Sequence, residues 1–186
     1  MTGFEATAGV AGEAAPGGEA GIMHSAEVEI PMDHPAPVVA DPEVARTLDL
    51  LGGPAVIATP VRTPLDAHDL LTHGLPAVAL LHLSEQVGLS ATRLVEALGM
   101  SLRTLQRRRE DQGRSLSPEQ SGRAWTFAEV LGRSTEIFGS REDALAWLQR
   151  PAMALDGRRP IDLLRTPAGA ELVDDHLTRL EYGVYT

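Results

Sequence analysis

The sequence lacks several features that define whole classes of protein. It contains no cysteine, which excludes disulfide bonds, thiolate zinc sites and cysteine nucleophiles. No apolar run approaches the roughly twenty residues that a membrane-spanning helix needs, and the N-terminus lacks the basic-then-apolar order of a signal peptide. Lysine is also missing, so all sixteen basic residues are arginine. These absences predict a soluble, cytoplasmic protein.

Catalytic patterns are missing too. The chain has neither a phosphate-binding loop nor the glycine pattern of a dinucleotide fold. His68 and His73 are five residues apart, which misses the one-face spacing of a helical metal pair. The other histidines fall in a tail or among helices without a clear set of carboxylate partners: His24, His34, His82 and His176. We therefore predict that the protein is not an enzyme and holds no metal or cofactor.

What the chain does contain is a strongly acidic balance with one basic segment. The net charge of −10 would by itself argue against nucleic acid binding. Residues 1–46 carry eight acids and one arginine, residues 47–98 five acids and two arginines, and residues 134–186 nine acids and six arginines. Residues 99–133 instead carry four acids and seven arginines, a net charge of +3. Any nucleic acid interface is expected there.

The basic segment has the layout of a helix-turn-helix. Ser90 can cap a first helix, Gly99 allows a tight turn, and Ser101 can cap a second helix. Apolar residues at helical spacing line the inner side of both helices: Leu94, Val95, Leu98, Leu102 and Leu105. The second helix of such a motif lies in the major groove of DNA, where arginine pairs with guanine and glutamine with adenine.

The outward residues of that second helix form the predicted DNA-binding set. They are Ser101, Arg103, Thr104, Gln106, Arg107 and Arg108. Two other interpretations of the same residues stay open, namely a solvated arginine-rich face and an arginine cluster that binds an acidic partner.

Roughly the last fifty residues predict a series of short amphipathic helices. Ser140 and Asp143 form a Ser-x-x-acid capping box, and Gly139 can end the preceding helix in a left-handed conformation. Pro151 ends one short helix and Pro160 begins the next. The residues expected in the core are Phe138, Trp147, Leu163, Leu164 and Leu172.

A final helix is predicted to begin at Thr166 and Pro167 and to end at Gly183. Its predicted apolar face holds Leu172, Val173, Leu177 and Leu180. Val184 and Tyr185 lie beyond the helix end on a tail too short to fold back far, so they are either frayed or docked on a partner.

The N-terminal half contains a helical pattern and a tail. Residues 77–87 predict an apolar helix, and residues 55–58 predict one short strand, which would pair with a second chain in a dimer. Residues 1–44 are rich in Gly, Ala, Pro and Glu and predict disorder. This acidic tail either restrains non-specific DNA binding or is dispensable, or the true start is Met23 or Met32.

Several of these segments together resemble a known family. The order EIFG (136–139), WL (147–148), PIDLL (160–164), Gly169 and LEYGVY (180–185) is similar to the toxin-binding domain of the Xre/ParS/MbcA antitoxins. The segment SLRTLQRR (101–108) resembles the Xre-type helix-turn-helix of the same antitoxins. The resemblance covers about residues 47–186.

The resemblance implies a type II antitoxin that neutralises a RES-domain, NAD-consuming toxin by closing the NAD pocket of the toxin with its C-terminal end. It implies the toxin-binding residues Arg179, Glu181, Tyr182, Gly183, Val184 and Tyr185. It also implies binding of the operon's own promoter, and we expect a homodimer and a hetero-oligomer with the toxin, away from membranes.

These arguments predict an all-α protein in three parts. They are a disordered acidic tail (1–44), an Xre-like helix-turn-helix domain (45–132) and a small helical toxin-binding domain (133–186). The alternative is a helix-turn-helix transcription regulator whose C-terminal domain serves dimerisation or another partner. A RES-type reading frame beside the gene would separate the two.

Overall fold

Helices account for nearly all regular structure in the computed structural model, which describes residues 39–101, 103 and 115–183. A 3-10 helix spans Met153–Leu155. The α-helices of the described residues are α1 (Pro42–Leu50), α2 (Gly53–Val56), α3 (Pro64–His73), α4 (Val78–Gln86), α5 (Ala91–Ala97), α6 (Pro118–Phe138), α7 (Arg141–Gln149), α8 (Pro160–Leu163) and α9 (Pro167–Glu181). In these ranges, β pairing is limited to isolated bridges. The predicted all-α class is confirmed.

Most predicted helix boundaries are confirmed by side-chain caps. The hydroxyl of Ser90 accepts the N–H of residue 93 at the start of α5, at 3.3 Å. Ser140 and Thr166 do the same for α7 and α9, each at 3.1 Å. Gly139 ends α6 with φ of 80°, a left-handed conformation that suits glycine. Short polar residues and glycines therefore set where these helices begin and end.

Helix α6 is the centre of the molecule. Over 21 residues it packs against α1, α3, α7 and α9. Its buried face includes Phe127 and Leu131, and its Ser121 hydroxyl accepts the N–H of Leu75 at 2.8 Å. The predicted domain boundary between residues 132 and 133 falls inside this helix. The two predicted domains therefore share a helix and have no linker between them.

The strand predicted over residues 55–58 was wrong. Gly53–Val56 forms the short helix α2 instead, and only Ile57 after it is extended. Gly52 has φ of 103°, which turns the chain directly from α1 into α2, and Pro54 sits in the first turn, where its missing N–H costs nothing. The expected dimer contact through this strand therefore loses its basis.

The predicted end of the N-terminal tail at residue 44 was also too late. Helix α1 begins at Pro42, and the Asp41 carboxylate accepts the N–H groups of Glu43 at 2.9 Å and Val44 at 3.2 Å. Val44 is buried. A helix cap and one apolar anchor thus order residues that composition alone assigned to the tail. Residues 1–38 lie outside the described residues.

The core prediction for the C-terminal part was right in part. Leu164 is buried, and Phe138, Trp147 and Leu163 are partly buried against the core. Leu172 is 52% exposed, so its assignment to the core was wrong. Helix α9 buries residues 169, 173 and 177, and residue 172 is rotated by roughly 100° from that line.

A methyl group added at Gly169 is expected to destabilise the protein. A Cβ at this position would overlap the backbone carbonyl of Leu163, because the start of α9 approaches the end of α8 closely. We expect Gly169→Ala to lower the free energy of unfolding by about 1 to 3 kcal/mol, measured by urea denaturation.

Gly122 provides the matched control for that change. It lies within α6, and nothing is within 4 Å of where its Cβ would be. Gly122→Ala should raise stability by about 0.5 to 1 kcal/mol, because alanine loses less backbone entropy in a helix. Equal stability of Gly169→Ala and the wild type would show that the two helices can move apart without cost.

A chain that begins at Asp41 is expected to keep the full fold. It retains the α1 cap and the buried Val44, so its helical circular dichroism and melting temperature should match those of the whole chain. A chain that begins at Thr47 loses both and should lose about 2 to 4 kcal/mol of stability. Equal destabilisation by both truncations would assign a structural role to residues 1–40.

Candidate functional site

The described part of the helix-turn-helix has the predicted geometry. Leu94, Val95 and Leu98 of α5 are buried, and Gly99 makes the turn with φ of 65°. Arg103 lies in helical conformation after the turn, and its side chain is exposed. The structure thus presents an arginine where a recognition helix begins.

The predicted DNA-binding set lies partly within the described residues. Ser101 is described and exposed, as is Arg103. The other four lie outside the described residues, as do Leu102 and Leu105 of the inner side: Thr104, Gln106, Arg107 and Arg108. Their role in DNA binding stays a prediction.

The turn of this motif is supported by Arg123, which belongs to the segment 116–123 that extends the family resemblance, although the sequence did not predict this contact. The Arg123 guanidinium, from α6, donates to the backbone carbonyls of Leu98 at 3.3 Å and Gly99 at 3.0 Å. Its other nitrogen donates to Glu119 at 2.6 Å. Because the bonded residues are 24 and 25 positions apart in sequence, no local pattern indicates the contact.

The second candidate surface is the C-terminal end of α9. Arg179, Tyr182 and Gly183 are exposed there, Tyr182 to 76% of its surface. Gly183 follows the helix with φ of 68°, as expected for a helix end. The structure therefore brings the described members of the predicted toxin-binding set together, whereas Val184 and Tyr185 lie outside the described residues.

Glu181, the remaining member of that set, already has a partner in the chain. Arg133 of α6 donates to Glu181 at 2.8 Å, to Asp174 at 2.5 Å and to the hydroxyl of Thr178 at 2.9 Å. One guanidinium thus ties three turns of α9 to α6. This role of Arg133 was missed, because its partners lie more than 40 residues away in sequence.

An aromatic stack lies beside this end of the molecule. The Phe138 and Trp147 rings are 5.3 Å apart, and Trp147 stacks on the His176 imidazole at 6.0 Å. Burial, with Arg179 nearby, lowers the pKa of His176 and so favours the neutral imidazole. The stack therefore joins α9 to Trp147 of α7 through ring contacts.

Met153 and Leu172 add exposed apolar surface to the predicted toxin-binding domain. Met153 is 91% exposed, in the 3-10 helix that packs on α9. Exposed apolar side chains in one region are typical of protein interfaces.

An acidic groove lies between α1, α6 and α9. It is lined by Arg133 and five carboxylates, which are Glu43, Glu129, Glu171, Asp174 and Asp175. Burial raises the pKa of Glu129, even though the Trp125 indole donates to its carboxylate.

Among the described residues no group of three or more His, Cys, Asp or Glu side chains has the geometry to hold a metal ion. No helix in the described part of the chain has the length and apolar character to cross a membrane.

The comparison with known proteins matches both surfaces to one family. Residues 66–129 match the antitoxin Xre-like helix-turn-helix domain, and residues 133–183 match the antitoxin Xre/MbcA/ParS C-terminal toxin-binding domain. The chain thus contains both domains of the Xre/MbcA/ParS antitoxins, the helix-turn-helix and the C-terminal toxin-binding domain. The two matches meet within α6, the helix that both domains share.

Curated relatives of this antitoxin family cover different shares of the chain. An antitoxin Xre of Yersinia enterocolitica is 37% identical over 94 residues, which are 50% of this chain and 63% of that protein. A Prs ADP-ribosylating antitoxin of a Sphingobium species is 27% identical over 66% of this chain and 82% of its own. An antitoxin Xre of Pseudomonas putida is 27% identical over 63% of this chain and 72% of its own.

Proposed function

We propose that this protein is a non-enzymatic antitoxin that binds a cognate RES-domain toxin and blocks its consumption of NAD. In this proposal the C-terminal end of α9 makes the inhibitory contact. The helix-turn-helix binds the promoter of the protein's own operon and represses it. Operator DNA and toxin are then two partners of one compact chain.

The observation that carries the proposal is the anchored but exposed end of α9. Arg133 ties Asp174, Thr178 and Glu181 to α6, while the neighbouring Tyr182 is left exposed. An aromatic side chain on a rigid base can fill a pocket of a partner at small entropic cost. This arrangement suits a helix that presents its last residues to another protein.

The residues of the predicted toxin-binding set divide into two roles in this proposal. Arg179, Tyr182 and Gly183, with Val184 and Tyr185 beyond them, contact the toxin. Glu181 contributes by its ion pair with Arg133, which orients the end of the helix. The Glu181 side chain is half exposed, so a toxin residue can still approach the carboxylate.

The chemistry of the toxin is proposed from the family and from one relative. The Sphingobium relative is named a Prs ADP-ribosylating antitoxin, and ADP-ribosyl transfer takes its ADP-ribose from NAD. An NAD-consuming partner for this chain agrees with that name.

The test is co-expression with the product of the neighbouring reading frame. Co-purification, sizing of the complex and cellular NAD should be measured together. We expect a stable complex, and NAD should fall only when the toxin is expressed without this chain. A neighbouring product that neither binds nor lowers NAD would refute the toxin assignment.

The exposed apolar surface at Met153 and Leu172 also favours a second candidate function. In that case the chain is a transcription regulator, and its C-terminal domain binds another copy of itself. Co-purification with the product of the neighbouring reading frame distinguishes the two, because this candidate requires no toxin. It also requires that Leu172→Glu separates the dimer formed by the chain expressed alone.

A further inference from the structure

A groove joins the helix-turn-helix to the toxin-binding domain. It has a volume of about 250 Å³ and lies between α5 and the region around α8. Arg93 and Glu96 line it from α5, and Arg159, Asp162 and Arg165 line it from the C-terminal domain. The groove is therefore built from charged residues of both domains.

Only some of these charges are neutralised within the chain. Arg159 binds the Asp162 carboxylate through two nitrogens, at 2.7 and 3.0 Å. Arg93 and Arg165 are exposed, and neither guanidinium makes a hydrogen bond or an ion pair with a described residue. The groove therefore holds two arginines, Arg93 and Arg165, and one carboxylate, Glu96, that are unpaired within the described part of the chain. This excess of positive charge favours binding of an anion.

The groove lies directly at the turn of the helix-turn-helix. A Cβ at Gly99 would be 3.7 Å from the Cβ and 3.8 Å from the Cγ of Arg165, so the stem of this arginine packs against the turn. Arg93 is in the first turn of α5, and the exposed Arg103 follows the turn. Exposed arginines of both domains therefore surround the motif in an otherwise acidic protein.

We propose that Arg93 and Arg165 bind phosphate groups of duplex DNA beside the recognition helix. This inference rests on the proposed operator binding, and it adds the toxin-binding domain to the DNA interface. The first helix of a helix-turn-helix crosses the DNA backbone, where arginine can bind a phosphate through two nitrogens. Such contacts strengthen and orient binding without selecting the sequence.

The experiment compares charge-removing and charge-keeping variants of the full chain. Arg165→Gln and Arg93→Gln should each lower affinity for both the promoter duplex and a scrambled duplex by roughly 3- to 10-fold at about 0.15 M salt. Each should reduce the slope of log affinity against log salt by about 0.9. Arg165→Lys should keep most of the affinity, which a purely structural role of the guanidinium would not predict.

Arg62→Gln is the matched control. This arginine is exposed, precedes α3 and forms no side-chain hydrogen bond with a described residue, although its charge acts on the nearby Asp66. Arg62→Gln removes one positive charge from elsewhere on the surface, so the affinity for duplex DNA and its salt slope should stay unchanged.

The possible failures have different meanings. Unchanged affinity and slope in Arg165→Gln, when Arg107→Ala does weaken promoter binding, would overturn the phosphate contact alone. A wild-type chain that binds no DNA would overturn both this inference and operator binding. Loss of toxin co-purification in Arg165→Gln with unchanged DNA affinity would assign the groove to a protein partner instead and also overturn the inference.

Discussion

Deleting residues 184–186 is expected to release NAD consumption from a complex that still forms. In the proposed complex the helices before this tail supply most of the contact with the toxin, whereas the tail continues past the exposed Tyr182 to a second aromatic residue. Truncation of an aromatic hot-spot residue in a pocket costs about 2 kcal/mol or more, so Tyr185→Ala should release most of the same activity if Tyr185 is such a residue. Complex formation and NAD loss should be measured on one sample.

Leu65→Ala provides the control for this experiment. Leu65 lies on α3 and is 69% exposed, so the change removes an exposed apolar side chain from a different helix. Both binding and inhibition should be unaffected. A tail-deleted antitoxin that binds and still inhibits fully would place the blocking contact elsewhere, and α9 itself would be the next candidate.

Replacing Arg107 with alanine is expected to weaken specific promoter binding and to leave toxin neutralisation intact. An arginine that binds guanine through two hydrogen bonds contributes about 1 to 3 kcal/mol, which is roughly 5- to 150-fold in affinity. A gel-shift titration at fixed salt measures the loss. Equal promoter affinity of the variant and the wild type would exclude Arg107 from the recognition surface.

Arg107→Lys and Arg62→Ala sharpen the result. Lysine keeps the charge but not the paired geometry, so Arg107→Lys should lose specificity while it retains non-specific affinity. Arg62→Ala removes one charge outside the motif and should change neither the specificity nor the non-specific affinity. Equal losses in promoter and scrambled duplexes for Arg107→Ala would indicate a phosphate contact instead of base recognition.

The α6 helix links these two expected results physically. Arg123 near its start bonds the turn of the helix-turn-helix, and Arg133 near its end bonds α9. The proposed DNA-binding and toxin-binding surfaces are thus both bonded to the same helix. Any change that disturbs α6 is expected to alter both functions, so the surface variants above separate them better than core variants would.

Local chemistry determined much of this protein from the sequence alone. The caps at Ser90, Ser140 and Thr166 and the end of α6 at Gly139 follow from hydrogen bonds within three residues and from the backbone freedom of glycine. The helical spacing of apolar residues likewise predicted helices α4 and α5. Such features need no distant partner, and a reader of the sequence can place them.

Residue composition and the spacing of apolar residues were less reliable predictors where a neighbouring element determines the secondary structure or the burial of a residue. Residues 55–58 have the branched side chains of a strand, yet the left-handed Gly52 directs the chain into α2. Leu172 has the right period for a core residue, but the close approach of Gly169 to Leu163 sets the rotation of α9 and turns Leu172 toward solvent. In both places a contact outside the local pattern overrides it.

The long-range contacts of arginine were decided by the tertiary structure only. From the local sequence pattern, Arg123, Arg133 and Arg165 are all expected to be exposed charges on helices or turns. Packing assigns one to the turn, one to α9 and one to a groove beside the motif, because their partners are distant in the chain. The sequence determined the helices and their ends through local bonds, and only folding decided which charges are used inside the molecule and which face a partner.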